Sequence, residues 1–157
     1  LKAVLKKAAA HRGSAFLEIL QNCNIFNDGA WESLTDKELR SDHTIALEHG
    51  QPLIFGKNRD KGIRMNGIDL EVVHLGNGIS EKDLILHDDH HPNPAYAFLL
   101  ARMELLPGFP TPLGVFRSVD LPRYEDRMAD QIHHAVQKRG HGDLEALLRA
   151  GDTWEVK

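Results

Sequence analysis

The stretch Phe16-Leu17-Glu18-Ile19-Leu20-Gln21-Asn22-Cys23-Asn24-Ile25-Phe26-Asn27-Asp28-Gly29 decides how the chain is read. An apolar run rises to Ile19 and Leu20 and stops in a polar passage around Cys23. The first half, Ser14 to Leu20, has the pattern of a buried strand, and the second that of a loop at its end. In open α/β sheets ligands collect just beyond the carboxyl ends of strands, so residues 21 to 29 form the candidate site. Glu18 is unusual for a central strand: it is either a surface residue at one end or a partner buried against a ligand or cation.

Working outward, Leu1, Val4, Leu5, Ala8 and Ala9 make a helical face closed by Arg12-Gly13. Helix, tight turn and strand are half of a β-α-β unit, and the missing first strand would lie upstream of Leu1. The chain opens on Leu1 with neither initiator methionine nor signal pattern, so further residues are expected to precede it. A lone strand needs neighbours to pair its backbone.

Beyond the site, Trp31 to Arg40 reads as a short helix, with Thr35 and Glu38 as a capping box. Thr44 to Leu47 and Pro52 to Phe55 read as a hairpin turning at His49-Gly50. Gly62 to Met65 and Asp69 to His74 form a clearer hairpin, in which Asn66-Gly67 supplies a type I′ turn. Asn77-Gly78 marks another turn and Leu84 to His87 a short strand. Pro94 starts an apolar helix over Ala95 to Leu105. Three prolines stiffen Leu106 to Leu113, and Gly114 to Val119 reads as a strand. Tyr124 to Lys138 is a helix with Met128, Ile132, Ala135 and Val136 on one face. A short helix at Leu144 to Leu148 and a docking tail at Thr153 to Val156 complete the chain.

The 157 residues are 41% hydrophobic and 27% charged, which allows a core and argues against wholesale disorder. A formal net charge of −4 without a Lys/Arg block argues against nucleic-acid binding. A single cysteine excludes internal disulfides and fits a reducing, cytoplasmic setting. No apolar run approaches the ~20 residues that cross a bilayer.

Cys23 has three readings. It is a small buried hydrophobe, a nucleophile whose base no local spacing supplies, or a thiolate ligand whose partners come from elsewhere. The cluster His87, Asp88, Asp89, His90 and His91 offers metal-ligand chemistry, but adjacent residues point in different directions, so it is read as a polar structural loop. His133 and His134 are read as structural. Neither Gly76-Asn77-Gly78 nor Gly108-Phe109-Pro110 has the context of a phosphate loop.

The segment Gln21 to Gly29 resembles the beta subunit of bacterial 2-oxoacid:ferredoxin oxidoreductases, the 2-oxoglutarate type in particular. So do His11 to Phe16, Leu47 to Pro52, Leu86-His87-Asp88 and Thr111 to Arg117, in order along the chain. The resemblance covers only the C-terminal portion of such a subunit. It implies an α/β fold: the end of a thiamine-diphosphate-binding domain over residues 1–33, then a mixed α+β extension with short hairpins over 34–157. It implies oxidative decarboxylation of a 2-oxoacid to acyl-coenzyme A, with electrons passing through a [4Fe-4S] cluster to ferredoxin. The implied cofactors are thiamine diphosphate, Mg²⁺ and that cluster; the implied partners are the alpha subunit, ferredoxin, the oxoacid and coenzyme A. Cys23 matches the fourth cluster ligand, with three cysteines and the Gly-Asp-Gly region upstream of Leu1. Asn22, Asn24 and Asn27 would then donate to cluster sulfurs or shape the loop, while Ile25 and Phe26 are expected to pack. Alone, the chain is expected to be inactive. The alternative is that the region after Trp31 is an assembly module with no direct part in the chemistry.

Overall fold

Ile45, Leu47, Leu53, Phe55, Ile63, Leu100 and Met103 form one buried cluster, and the secondary structure is arranged to deliver them to it. A computed structural model describes residues 1–156. By internal contacts the chain divides into two units, Leu1–His11 with Ala15–Val119, and Arg12–Ser14 with the chain from Asp120 onward.

In the first unit, helix α1 (Lys2–Ala10) is followed by irregular backbone, not the expected strand over 14–20. Phe16 is 92% exposed and Ile19 is also exposed. No strand among the described residues pairs with this segment, and an unpaired strand leaves its amides to water. Glu18 is exposed. The single helix expected over 31–40 is instead two turns, α2 (Glu32–Thr35) and α3 (Arg40–His43). Thr35 does not cap; its Oγ1 donates to the carbonyls of Trp31 and Glu32. Asp36 takes the capping role, accepting from the amides of Glu38 and Leu39 at 2.8 and 3.1 Å.

Strand β1 (Thr44–Leu47) turns Ile45 and Leu47 inward and Ala46 outward, the period-two pattern of a half-buried strand. Its partner is not residues 52–55. β1 pairs in parallel with β5 (Thr111–Gly114), in the register Thr44 to Thr111 through Leu47 to Gly114. The turn at His49-Gly50 sends the following segment to another neighbour: Gly50 N donates to His87 O, His87 N to Gln51 O and Leu53 N to Ile85 O, at 2.8–2.9 Å. Residues 84–87 are thus extended beside 50–53, although only Pro52 and Leu86 form a bridge. The strand expected over 114–119 lies earlier, because Pro112 is admitted where both strands have open outer edges.

The second sheet has the order β2 (Ile54–Phe55), β3 (Lys61–Asn66) and β4 (Asp69–His74), antiparallel throughout. The β3–β4 hairpin stands where expected, but its turn is shifted by one residue. Asn66 pairs with Asp69, leaving Gly67-Ile68 as the loop, with positive φ only at Gly67. That is the sign pattern of a type II′ turn. The pair of positive φ values that marks type I′ occurs at Asn77 and Gly78. Helix α4 (Pro94–Arg102), capped by Asn93 and continued by a 3₁₀ turn over Met103–Leu105, buries Leu100 and Met103 against the core.

The second unit contains α5 (Tyr124–Arg139) and α6 (Leu144–Leu148), close to their expected limits. Arg123 grips Asp126 through Nε and Nη2, both at 2.8 Å, and that pairing holds the Asp126 carboxyl below the usual range. Asp143 caps α6. The apolar face expected on α5 is real but uncovered, with Met128 and Ile132 exposed. Residues 153–156 form no strand. No helix among the described residues is long and apolar enough to cross a membrane.

Gly114 ends β5 at φ 150°, and a Cβ there would stand 2.5 Å from Leu47 O. Gly114→Ala is expected to lower the unfolding free energy by about 3 kcal/mol, from backbone strain and the overlap together. Gly50, at φ 74° with open space around it, separates the two terms: Gly50→Ala should cost only about 1 kcal/mol. Urea unfolding of both variants measures the difference, and equal losses would show that the contact with Leu47 carries nothing.

Candidate functional site

The polar passage after Leu20 folds into a closed loop. Asn27 N donates to Cys23 O at 2.9 Å, and the two residues bridge as an antiparallel pair. Asn22 clamps the base of this loop: its Nδ2 donates to Asp28 Oδ1 at 2.9 Å and its Oδ1 accepts from Gly29 N at 3.0 Å. Gly29, at φ 75°, makes that return possible. Trp31 Nε1 donates to Gln21 O at 3.1 Å, tying the loop to the start of α2. The side chains of Asn24 and Asn27 make no hydrogen bonds among the described residues. Of the three expected donors, only Asn22 therefore has a visible structural task.

Cys23 itself is exposed and free, so the reading as a buried small hydrophobe does not hold. The thiol pKa is held below its ordinary value, chiefly by the backbone amide of Phe26 and then by that of Ile25. Desolvation opposes them, and the Asn27 amide adds to them. Backbone amides that lower a thiol pKa favour its thiolate form. The side chains of Ile25 and Phe26 do not pack as expected. They are 79% and 89% exposed, and it is their backbone that serves the thiol. Nothing in the residue types signals this, because the direction of an amide is set by loop closure.

The 87–91 loop divides into two parts. His87 is buried, with Nε2 2.8 Å from Val115 O and Nδ1 2.9 Å from Tyr96 Oη. A carbonyl only accepts, so Nε2 carries the proton and Nδ1 accepts from the tyrosine hydroxyl. Burial pushes the Tyr96 pKa up to about 12, which keeps that donor protonated. His87 is thus structural, as expected. Asp89 and His90, however, meet His49, a residue that the sequence marks only as part of a turn. His134 Nδ1 donates to Asp130 O one turn back along α5.

The chain is 39% identical, over 158 aligned residues, to 2-oxoglutarate oxidoreductase subunit KorB of Mycobacterium tuberculosis (strain ATCC 25618 / H37Rv). The alignment covers 99% of this chain and 42% of that subunit, so the chain spans about two fifths of the length of the relative it matches. The resemblance visible in the sequence is thereby borne out. No protein-family model matches the chain, and no solved structure matches it.

Alkylation by iodoacetamide as a function of pH tests the loop. The rate should reach half its maximum at a lower pH in the folded chain than in urea, because the amides favour the thiolate only while the loop is closed. Asn22→Ala, which unties the loop, should move the folded midpoint back toward the unfolded one. Identical midpoints in both states would contradict the amide arrangement.

Proposed function

We propose that this chain is part of the beta subunit of a 2-oxoacid:ferredoxin oxidoreductase of the 2-oxoglutarate type, in which Cys23 is one thiolate ligand of a [4Fe-4S] cluster. The observation that carries this reading is the solitary, exposed thiol of Cys23, whose pKa the neighbouring backbone amides hold below its ordinary value. Iron–sulfur clusters are held by thiolates, and hydrogen bonds to the sulfurs help set their potential. The sequence holds one cysteine, so the other three ligands must come from outside it. The exposed Ile25 and Phe26 beside the thiol suit a surface that the rest of the subunit covers and from which it excludes water. In this reading residues 1–33 complete the thiamine-diphosphate-binding domain and residues 34–157 form its extension. Thiamine diphosphate and its Mg²⁺ are assigned to the rest of the subunit.

A cluster held in part by Cys23 would supply one-electron transfer between the decarboxylated oxoacid and ferredoxin, with coenzyme A as the acyl acceptor. This chain's own part is to present one sulfur in a fixed direction. Asn22 holds the loop closed, and the amides of residues 25–27 offset the negative charge of the thiolate. Asn24 and Asn27, whose side chains have no hydrogen-bond partners among the described residues, are assigned to donors facing the cluster.

Replacing Cys23 by serine in the complete subunit should lower the iron content and abolish or reshape the EPR signal of the reduced four-iron cluster. Four irons per subunit with an unchanged signal would remove Cys23 from the ligand set. The 157-residue chain alone, given 2-oxoglutarate, coenzyme A, thiamine diphosphate and a viologen acceptor, should show no turnover; a rate near that of the complete enzyme would contradict the partial role.

A second reading, as an assembly module, is favoured by α5. Tyr124, Met128 and Ile132 leave an apolar stripe exposed along a helix with no buried residue of its own. The stripe is suited to the alpha subunit or to another beta subunit, and this role is compatible with the first.

A further inference from the structure

Three ligand-type atoms from two distant parts of the sequence, the 49–50 turn and the 88–91 loop, converge. His49 Nδ1 lies 2.7 Å from Asp89 Oδ1, His90 Nε2 lies 3.5 Å from the same oxygen, and all three atoms fall within 4.8 Å of one another. The two rings stand 4.9 Å apart, tilted by 57°. The Asp89 side chain is only 6% exposed. His49 Nδ1 approaches Oδ1 to 2.7 Å, yet this buried oxygen has no hydrogen-bond partner among the described residues. A buried carboxylate oxygen without an aligned donor is costly unless something positive completes its surroundings.

The surroundings supply two nitrogens of the right kind. His90 Nδ1 faces the carbonyl of Ser118 at 2.6 Å, which fixes the ring proton on that side. In the neutral ring the lone pair is then on Nε2, the nitrogen turned toward Asp89. The loop is held independently of these side chains. Ser118 N donates to Asp89 O at 2.6 Å, and His90 N donates to Asp88 Oδ1 at 3.0 Å. Asp88 also brings a second carboxylate 3.6 Å from His49 Nδ1. Donors that bind an ion at ~2.1 Å sit roughly 3–4 Å from one another; the 3.5 Å pair already stands at that spacing, and the 2.7 Å pair has only to open slightly to admit the ion.

We propose that His49 Nδ1, Asp89 Oδ1 and His90 Nε2 form a binding site for a divalent first-row transition metal of the zinc class. Two imidazoles and one carboxylate suit zinc or iron and disfavour magnesium and calcium, which prefer all-oxygen sites. The ion clamps the 49–50 turn to the 88–91 loop. Its outer side opens to solvent, since the His49 and His90 side chains are 50% and 64% exposed, leaving room for water or an exchangeable oxygen ligand.

The test titrates the full chain, in a Cys23→Ser background so that the thiol cannot compete, with Zn²⁺ and with Co²⁺ as the spectroscopic probe. One equivalent should bind, with cobalt ligand-field bands that lack thiolate charge transfer, and Zn²⁺ should raise the melting temperature. His49→Gln and His90→Gln, both at exposed side chains, should each weaken binding by about 30-fold and abolish the thermal shift. His91→Gln should change neither. Asp89→Asn is a further ligand variant, but the two histidine variants are decisive because Asp89 is buried and its replacement also perturbs folding. Absence of a stoichiometric site would leave a His49–Asp89 ion pair and overturn the proposal. So would a site indifferent to both histidine changes, or one emptied by millimolar Mg²⁺. None of these outcomes bears on the cluster role of Cys23.

Discussion

The buried imidazole of His87 is the constraint on which the larger unit depends. Its backbone exchanges hydrogen bonds with Gly50 and Gln51, while its ring spans from Tyr96 on α4 to the carbonyl of Val115 just after β5. One residue thereby fixes the turn after β1, the helix that covers the core and the chain leaving the parallel pair. Both ring nitrogens are satisfied, so the neutral form is held in a single tautomer, and burial carries little penalty. Replacing such a group would leave Tyr96 and the Val115 carbonyl facing one another without a partner. The apolar cluster of Ile45, Leu53, Ile63, Leu100 and Met103 supplies the driving force, and His87 fixes which segments share it.

The Cys23 loop is organised differently. It has no apolar core, and its shape comes from Asn22, Asp28, Gly29 and the Trp31 indole closing a short circuit of hydrogen bonds. Such a loop can hold a sulfur in one direction while contributing little to global stability. The apolar side chains of this stretch of sequence, Phe16, Ile19, Ile25 and Phe26, are all exposed. That pattern accords with a surface completed by the rest of a subunit, of which the matched relative has more than twice this chain's aligned length.

Local signals are legible in the sequence, and distant pairings are not. The β3–β4 hairpin, α5 and α6 follow from turn chemistry and periodicity acting within a few residues. Even there, the turn slides one residue, because Asn66 finds a partner in Asp69 and leaves Gly67 to supply the positive φ. The partner of β1 is hidden because residues 52–55 are close in sequence, whereas the pairing strand lies beyond α4. For the site, Cys23 and Asn22 are legible from residue type and setting. The amides of Phe26 and Ile25 are not, since every residue but proline has one and only loop closure aims it. His49 is invisible for the same reason as β5: tertiary contact, not spacing, brings it to Asp89.

Anomalous diffraction at the iron edge from crystals of the complete subunit would test the central claim most directly. The account predicts four iron positions in one cluster, one of them bonded to Cys23 Sγ at about 2.3 Å, with the amides of residues 25–27 facing the cluster side of the loop. A fully ligated cluster elsewhere, with Cys23 Sγ bonded to no iron, would contradict it.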